Sequence, residues 1–369
     1  MRILMVTATY PPSVNGVAIQ VKLLTQAYLK LGHQVAVVAP HHHRNQPARP
    51  EIIEYPALTN PFEDNYPLGI PQLVKKKALA FRPDIVHTHH PFFIGQFAND
   101  IAQIRHCPLV FTHHTQYQTY LEHYLPRGQK LGVKVLEKHL QKFTLRTTAV
   151  ICPSQSVCRQ LQALSIKNTI VIPNGIDTRL FRPRSRHNPL LHLIYVGRLS
   201  REKEPQKLLS LGVQIKKLLP QFTLSIVGAG HLSRSLDKSI GQKGLTKNVH
   251  LLGILPQTQL PKVLSRHHFF ISYSPLETFS LSHLEALACG LPLIIPPRAT
   301  LGDFVAPENS LYIPASYPEA AQIIVSAFRN PVSYQSLQHS AHQTALRYSL
   351  ASTVSQYLDL YQQLLKVKV

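Results

Sequence analysis

Short apolar runs alternate along this chain with longer segments whose apolar residues recur at every third or fourth position. In the first half the runs are Arg2–Thr7, Gln34–Ala39, Ile52–Tyr55, Ile85–Thr88, Leu109–Thr112, Ala149–Cys152 and Thr169–Ile172. Runs this short, bounded by turn residues, predict buried strands. Between the first two, Val21, Leu24, Ala27, Tyr28 and Leu31 keep helical spacing. They predict a helix over Ala18–Leu31, closed by Gly32. Strand–helix alternation of this kind is the mark of a parallel α/β sheet.

The rhythm breaks at Arg182-Pro-Arg-Ser-Arg-His-Asn-Pro189, a proline- and charge-rich segment that reads as a linker. It restarts with His192–Val196, Thr223–Val227, Val249–Leu252, His268–Ile271, Leu293–Ile295 and Leu311–Ile313. Two such trains predict two Rossmann-like, doubly wound domains facing a cleft, with ligands at the carboxyl ends of the strands. The boundary is drawn between residues 184 and 185. A last amphipathic helix is expected over Leu350–Leu365, through Val354, Tyr357, Leu358, Tyr361 and Leu364-Leu365.

Composition adds a constraint on partners. The 369 residues carry 39 Lys+Arg against 18 Asp+Glu, a formal charge of +21, with 21 His in addition. Such a balance predicts an anionic partner: nucleic acid, an anionic membrane or a phosphorylated substrate. The N-terminal apolar run is too short for a secretory signal, and no run reaches the ~18–20 apolar residues of a spanning helix. Cys107, Cys152, Cys158 and Cys289 are scattered without a CxxC spacing, as free thiols in a reducing cytosol would be. His41-His42-His43 and His87-Thr88-His89-His90 lack matching Cys or carboxylate ligands, so no metal site is expected.

Four segments carry candidate chemistry. Glu277-Thr-Phe-Ser-Leu-Ser-His-Leu-Glu285 follows a predicted strand and turn and enters a helix that stops at Gly290. The N–H groups of Phe279, Ser280 and Leu281 would stand at that helix's N-terminus, an anion site, with a carboxylate beyond them for hydroxyl recognition. The bland alternative makes Glu277 a cap and Glu285 a surface residue. Tyr195-Val-Gly-Arg-Leu-Ser-Arg-Glu-Lys-Glu204 sets Arg198, Arg201 and Lys203 after a strand, where cations can neutralise a diphosphate, or else pair with Glu202 and Glu204. Pro11-Pro-Ser-Val-Asn-Gly16 and Gly228-Ala-Gly230 are glycine turns after strands. In Thr112-His-His-Thr-Gln-Tyr-Gln-Thr-Tyr120, His113 can hydrogen-bond a sugar hydroxyl while Tyr117 and Tyr120 offer stacking faces.

Together these residues resemble the retaining glycosyltransferases of family 4, which have the two-domain GT-B fold. The likeness spans nearly the whole chain: the MRILMVTATYPPSVNGV opening, VIPNGIDTRLFRP, VGRLSREKE, the E-x7-E segment and the closing helix. It implies a catalytic set of His113, Arg198, Lys203 and Glu277, with Arg198 and Lys203 on the donor diphosphate and His113 near the transferred sugar. Glu285 is implied on the ribose hydroxyls, and the backbone of Phe279, Ser280 and Leu281 on sugar and phosphates. Asn15, Gly16 and Gly228 belong to the donor-binding turns. The resemblance also implies that residues 350–369 return to an acceptor-binding domain, 1–184, while 185–349 bind the nucleotide sugar. Ser280 and Ser310 stand where the family often has glycine, which a negative φ would accommodate. No DxD spacing is visible, so a UDP- or GDP-sugar is expected as co-substrate with no metal or other cofactor.

The remaining charge is patterned. Cations at 127, 130, 134, 138, 142 and 146 cover one helical face, opposite Val133, Leu136, Leu140 and Phe143. Lys130, Lys134, Lys138, Lys142 and Arg146 therefore form a candidate membrane or acceptor surface, with Leu73-Val-Lys-Lys-Lys-Ala-Leu79 as a second. The stretch from His113 to Pro126 also looks like the subgroup acting on diacylglycerol-type lipids. These features predict a peripheral enzyme at the cytoplasmic face of an anionic membrane. A soluble acceptor, a nucleotide-sugar hydrolase or epimerase, and an inactive family member remain alternatives. Nucleic-acid binding does not fit, because the basic stripe lacks interleaved exposed aromatics.

Overall fold

Strand β1 (Arg2–Val6) is buried beyond Arg2, and the chain leaves it to form α1 (Gly16–Lys30). Gly32 follows with φ +80°, the left-handed stop that the sequence places there. The computed structural model describes residues 1–41, 51–58, 60, 66–114, 129–184, 189–275, 277–297 and 301–366, with the backbone alone at 129–131. The chain continues through β2 (Gln34–Pro40), β3 (Ile52–Tyr55), β4 (Ala57–Leu58) and β5 (Leu68–Gly69). Then come α2 (Lys75–Ala80), β6 (Ile85–Thr88), α3 (Phe93–Arg105), β7 (Leu109–Thr112), α4 (Gln129–Thr144), β8 (Ala149–Cys152), α5 (Gln155–Ala163) and β9 (Thr169–Val171). The parallel sheet runs β3-β2-β1-β6-β7-β8-β9, so the strand order reverses between β1 and β6. The antiparallel β4–β5 pair is a small separate sheet that the apolar pattern did not announce.

The second series is β10 (His192–Val196), α6 (Pro205–Leu218), β11 (Thr223–Val227), α7 (Ser233–Gln242), β12 (Val249–Gly253) and α8 (Leu260–Leu264). It continues through β13 (Phe269–Ile271), α9 (Leu281–Ala288), β14 (Leu293–Ile295), β15 (Ser310–Tyr312), α10 (Tyr317–Arg329) and α11 (Pro331–Leu346). Its parallel sheet runs β12-β11-β10-β13-β14-β15, with the reversal between β10 and β13. Most expected strands agree with these to within a residue at each end.

The chain divides into two units, Met1–Gly175 with Leu350–Val369, and Ile176–Ser349. The first boundary thus falls nine residues before the expected break at 184, because Ile176 already bonds to Tyr348 of the second unit. Helix α12 (Leu350–Lys366) buries Tyr357 and Tyr361 in the first unit. Tyr361 Oη lies 2.7 Å from His87 Nδ1, and Tyr357 Oη 3.1 Å from Thr112 Oγ1, itself 2.7 Å from His87 Nε2. Close approach of this helix needs Gly175, where a Cβ would meet Thr353 and the Leu350 backbone.

Candidate active site

In a doubly wound sheet the loops after the two strands at the reversal diverge and leave a crevice. In the second unit these loops follow β10 and β13, and they hold Arg198 and Lys203 on the one and Glu277, Phe279 and Ser280 on the other. Lys203 Nζ donates to Glu277 Oε1 at 2.6 Å, joining the two loops across the reversal. Burial alone would raise the Glu277 carboxyl, but Lys203, His283 and donated hydrogen bonds outweigh it and hold it below the ordinary range. Glu277 is therefore an ionised partner of Lys203, not a helix cap.

Arg198 reaches Glu202 at 3.4 Å, and Ser200 Oγ donates to the same carboxylate oxygen at 2.6 Å. Lys207 pairs with Glu204 at 2.7 Å. The expected local pairing thus holds for Arg198, while Lys203 turns away from its neighbours toward Glu277. The Tyr195 hydroxyl donates to the Arg198 carbonyl at 2.9 Å and pins the start of this loop.

Gly228 sits at φ +133°, and a Cβ there would land on the Gly197 carbonyl; one at Gly230 would land on the Leu199 carbonyl. Leu199 N–H donates to Ala229 O, and Gly197 N–H to Val227 O, both at 3.0 Å. The Gly228-Ala-Gly230 turn, weak as a sequence signal, is therefore the backbone rest on which the Arg198 loop lies.

Ser280 caps α9 with φ −87°, so serine fits this glycine-prone position without strain. Its Oγ does not cap the helix; it lies 2.6 Å from His283 Nδ1. First-turn N–H groups have no carbonyl behind them, which keeps those of Leu281 and Ser282 suited to an anion. The Ser280 N–H itself is not such a donor: it donates to Leu301 O at 3.0 Å, a correction to the expected trio. Phe279 packs edge-on against Phe304 at 5.1 Å, anchoring the loop by its ring.

Glu285, in the second turn of α9, is 4% exposed and not the surface residue of the bland reading. Burial pushes its carboxyl up to about 7, opposed by a hydrogen bond from Gln257 Nε2 at 3.1 Å. Gln257 and His283 were missed as partners. Gln257 lies in the loop after β12 and carried no motif; His283 was visible only as a polar residue inside an apolar helix turn.

In the first unit, Asn15 is the N-cap of α1: its Oδ1 accepts from Ala18 N–H at 2.9 Å and its Nδ2 donates to Thr9 Oγ1 at 2.7 Å. Its side chain thereby fixes the turn that leads into α1, and Gly16, exposed at the first helical position, keeps its backbone available. His113 ends β7, buried, with its N–H on Ile151 O at 2.9 Å. Burial lowers its imidazole to about 4, so it is neutral at physiological pH. Beside it, His89 Nδ1 lies 2.9 Å from His114 Nε2, and burial also keeps His87 and His90 neutral, each at about 3. His87 has both ring nitrogens on hydroxyls.

Lys134, Lys138 and Lys142 on α4, and Arg146 just past its end, are exposed while Leu140 and Phe143 are buried, as the spacing requires. The Lys130 side chain, Tyr117 and Tyr120 lie outside the described residues, as do Arg127 and the linker residues 185–188.

Comparison with known proteins agrees with this fold. The model described as Glycosyltransferase Family 4 matches residues 14–180, and that described as Glycosyl transferases group 1 matches 178–344. An alpha-monoglucosyldiacylglycerol synthase from Acholeplasma laidlawii is 25% identical over 98% of this chain and 97% of its own. The enzyme of the same name from Streptococcus pneumoniae is 28% identical over 83% of this chain and 73% of its own. Among solved structures, sucrose-phosphate synthase from Thermosynechococcus elongatus superposes with a TM-score of 0.78 at 19% identity, covering all of both chains. The Anabaena protein HepE in complex with UDP gives 0.75 at 18% identity, over 98% of this chain and all of that one. Two parallel, doubly wound units of the GT-B type, matched by these two models from residue 14 to residue 344, place the chain in glycosyltransferase family 4.

Proposed function

We propose that this chain is a retaining hexosyltransferase that moves a sugar from a UDP- or GDP-sugar to a lipid hydroxyl, such as that of diacylglycerol, at the cytoplasmic face of an anionic membrane. The observation that carries the donor half is the Lys203–Glu277 pair across the strand reversal, beside the N-terminus of α9. Breaking the bond from the anomeric carbon to phosphate develops negative charge on the departing diphosphate. Lys203, Arg198 and the first-turn N–H groups of α9 are the donors fit to receive it. Glu277 holds Lys203 in position and, in this reading, accepts from sugar hydroxyls. Glu285 binds ribose hydroxyls in its ionised form. The proposed reaction uses no enzyme nucleophile: the departing phosphate takes the acceptor proton as attack comes from the same face. Neutral His113 hydrogen-bonds the transferred sugar. With cations in this role, chelators are expected to leave the rate unchanged.

The lipid half is supported by the names of the Acholeplasma and Streptococcus relatives and by the exposed lysine face of α4. Among the described residues no helix is long and apolar enough to cross a membrane, so attachment would be peripheral. The deciding experiment is a donor panel supplied with anionic vesicles containing diacylglycerol or with soluble sugars. Product mass gives the acceptor and anomeric coupling gives the stereochemistry. A glycolipid of retained configuration is expected; transfer only to soluble sugars would overturn the lipid reading. Lys203→Ala should lower kcat by at least about 100-fold and destabilise the fold by about 1–3 kcal/mol, since Glu277 loses its charged partner. Unchanged turnover in that variant would remove the diphosphate assignment.

A further inference from the structure

The β4–β5 pair presents a surface that neither the fold nor the donor chemistry explains. Ala57 and Gly69 are opposite one another, as are Leu58 and Leu68. Directly opposed residues share a face, and successive residues alternate between faces. The inner face is Ala57, buried, and Gly69, where a Cβ would strike the Tyr55 ring. The outer face is therefore leucine on both strands. Leu58 is 75% exposed and Leu68 60%.

The ridge continues. Ile70 N–H donates to Pro56 O at 3.2 Å, which extends the pairing, and Ile70 is 59% exposed. Leu73, in the 3-10 turn Pro71–Val74, is 66% exposed. Exposed Lys76 and Lys77 follow on α2. Isolated exposed leucines are ordinary, but four large aliphatic side chains on one short hairpin and its following turn form a patch that marks an interaction site. Its flank is cationic, in a protein whose formal charge is +21.

The hairpin also stands near the carboxyl ends of the strands of the larger sheet. Tyr55, on which it rests, donates to the Thr7 carbonyl just past β1 at 3.3 Å. Tyr66, just before β5, meets His90 edge-on at 5.8 Å.

We infer that Leu58, Leu68, Ile70 and Leu73 form a ridge that enters the interfacial layer of an anionic bilayer, with Lys76 and Lys77 on its headgroups. Apolar side chains flanked by lysines match the two layers of such a surface, acyl boundary and anionic headgroup. This rests on the membrane-lipid reading above and names the element that inserts, in place of the basic face of α4 alone.

The chain contains no tryptophan, so one introduced indole is a unique reporter. Leu68→Trp and, separately, Leu58→Trp should shift their emission to the blue on vesicles of phosphatidylcholine with phosphatidylglycerol. Pure phosphatidylcholine should give much less shift, and a bilayer-embedded quencher should reach the indole. Leu68→Ser/Leu73→Ser should weaken vesicle partitioning by about tenfold or more, with UDP or GDP binding unchanged. If Val135→Trp or Leu145→Trp on the α4 side shifts while both ridge probes stay unmoved, the membrane reading survives and the ridge proposal is overturned. If none of the four shifts, both fail. A blue shift that grows with protein concentration without vesicles would make the ridge a self-association face and would likewise overturn the proposal.

Discussion

Glu285 shows how a single buried residue can work against stability at neutral pH. Its carboxyl is raised to about 7 by burial, whereas an unfolded chain would titrate it near the ordinary value of 4.5. The folded state therefore holds the proton more tightly. The stability linked to that proton is fully present below about pH 4.5 and is lost as pH rises through about 7. Above that, a buried charge is supported only by the Gln257 hydrogen bond, at a cost on the order of 3 kcal/mol. Glu285→Gln should accordingly melt several degrees higher than the parent at pH 8 and show little gain at pH 5, measured by calorimetry. If Glu285 takes the ribose hydroxyls as proposed, donor binding by the parent should strengthen across the same window, because a carboxylate accepts hydrogen bonds more strongly than the protonated acid. A stability gain independent of pH would refute this account. Glu277 behaves oppositely: its lowered carboxyl contributes stability at neutral pH that fades as the solution is acidified below its ordinary value.

At the scale of elements, the candidate donor site is made by turns laid on one another. Gly228 allows the β11 turn to touch the β10 turn through backbone alone, and the Arg198 loop takes its place from that contact. Gly228→Ala would need both an unfavourable φ and displacement of the Gly197 carbonyl. A loss of about 3 kcal/mol or more is expected, together with donor affinity, as read by denaturant unfolding and nucleotide titration. Gly241→Ala, where a Cβ meets nothing within 4 Å on α7, is the control and should be neutral or stabilising. Helix α9 makes the same point through its cap. Ser280 gives its hydroxyl to His283 and not to the helix, and the pair leaves the first turn open.

At the scale of the whole molecule, +21 acts in two directions. Like charges repel within the folded protein, and they attract an anionic surface. Raising salt from about 0.05 to about 0.5 M shortens the screening length from over 10 Å to about 4 Å. The melting temperature should then rise while protein dissociates from anionic vesicles, as followed by melting curves and vesicle sedimentation. If vesicle binding did not respond to salt, the lysines of α4 and α2 would have no part in it.

The sequence by itself determined which segments are strands of the two parallel sheets, where α1 stops, and which loops carry charge. Those properties follow from local periodicity and from the backbone limits of glycine, and both are written in short windows. It also exposed the E-x7-E segment, whose spacing puts two carboxylates at one helix start. Only the tertiary structure decided what each side chain meets. Lys203 chose Glu277, 74 positions away, over its neighbours Glu202 and Glu204; Ser280 lost its N–H to Leu301; Asn15 gave its side-chain oxygen to the start of α1. The return of α12 to the first unit and the outward leucines of β4–β5 likewise depend on packing between segments far apart in the chain. A side chain's partner is set by folded distance and burial, and neither is a property of the residues adjacent to it in sequence.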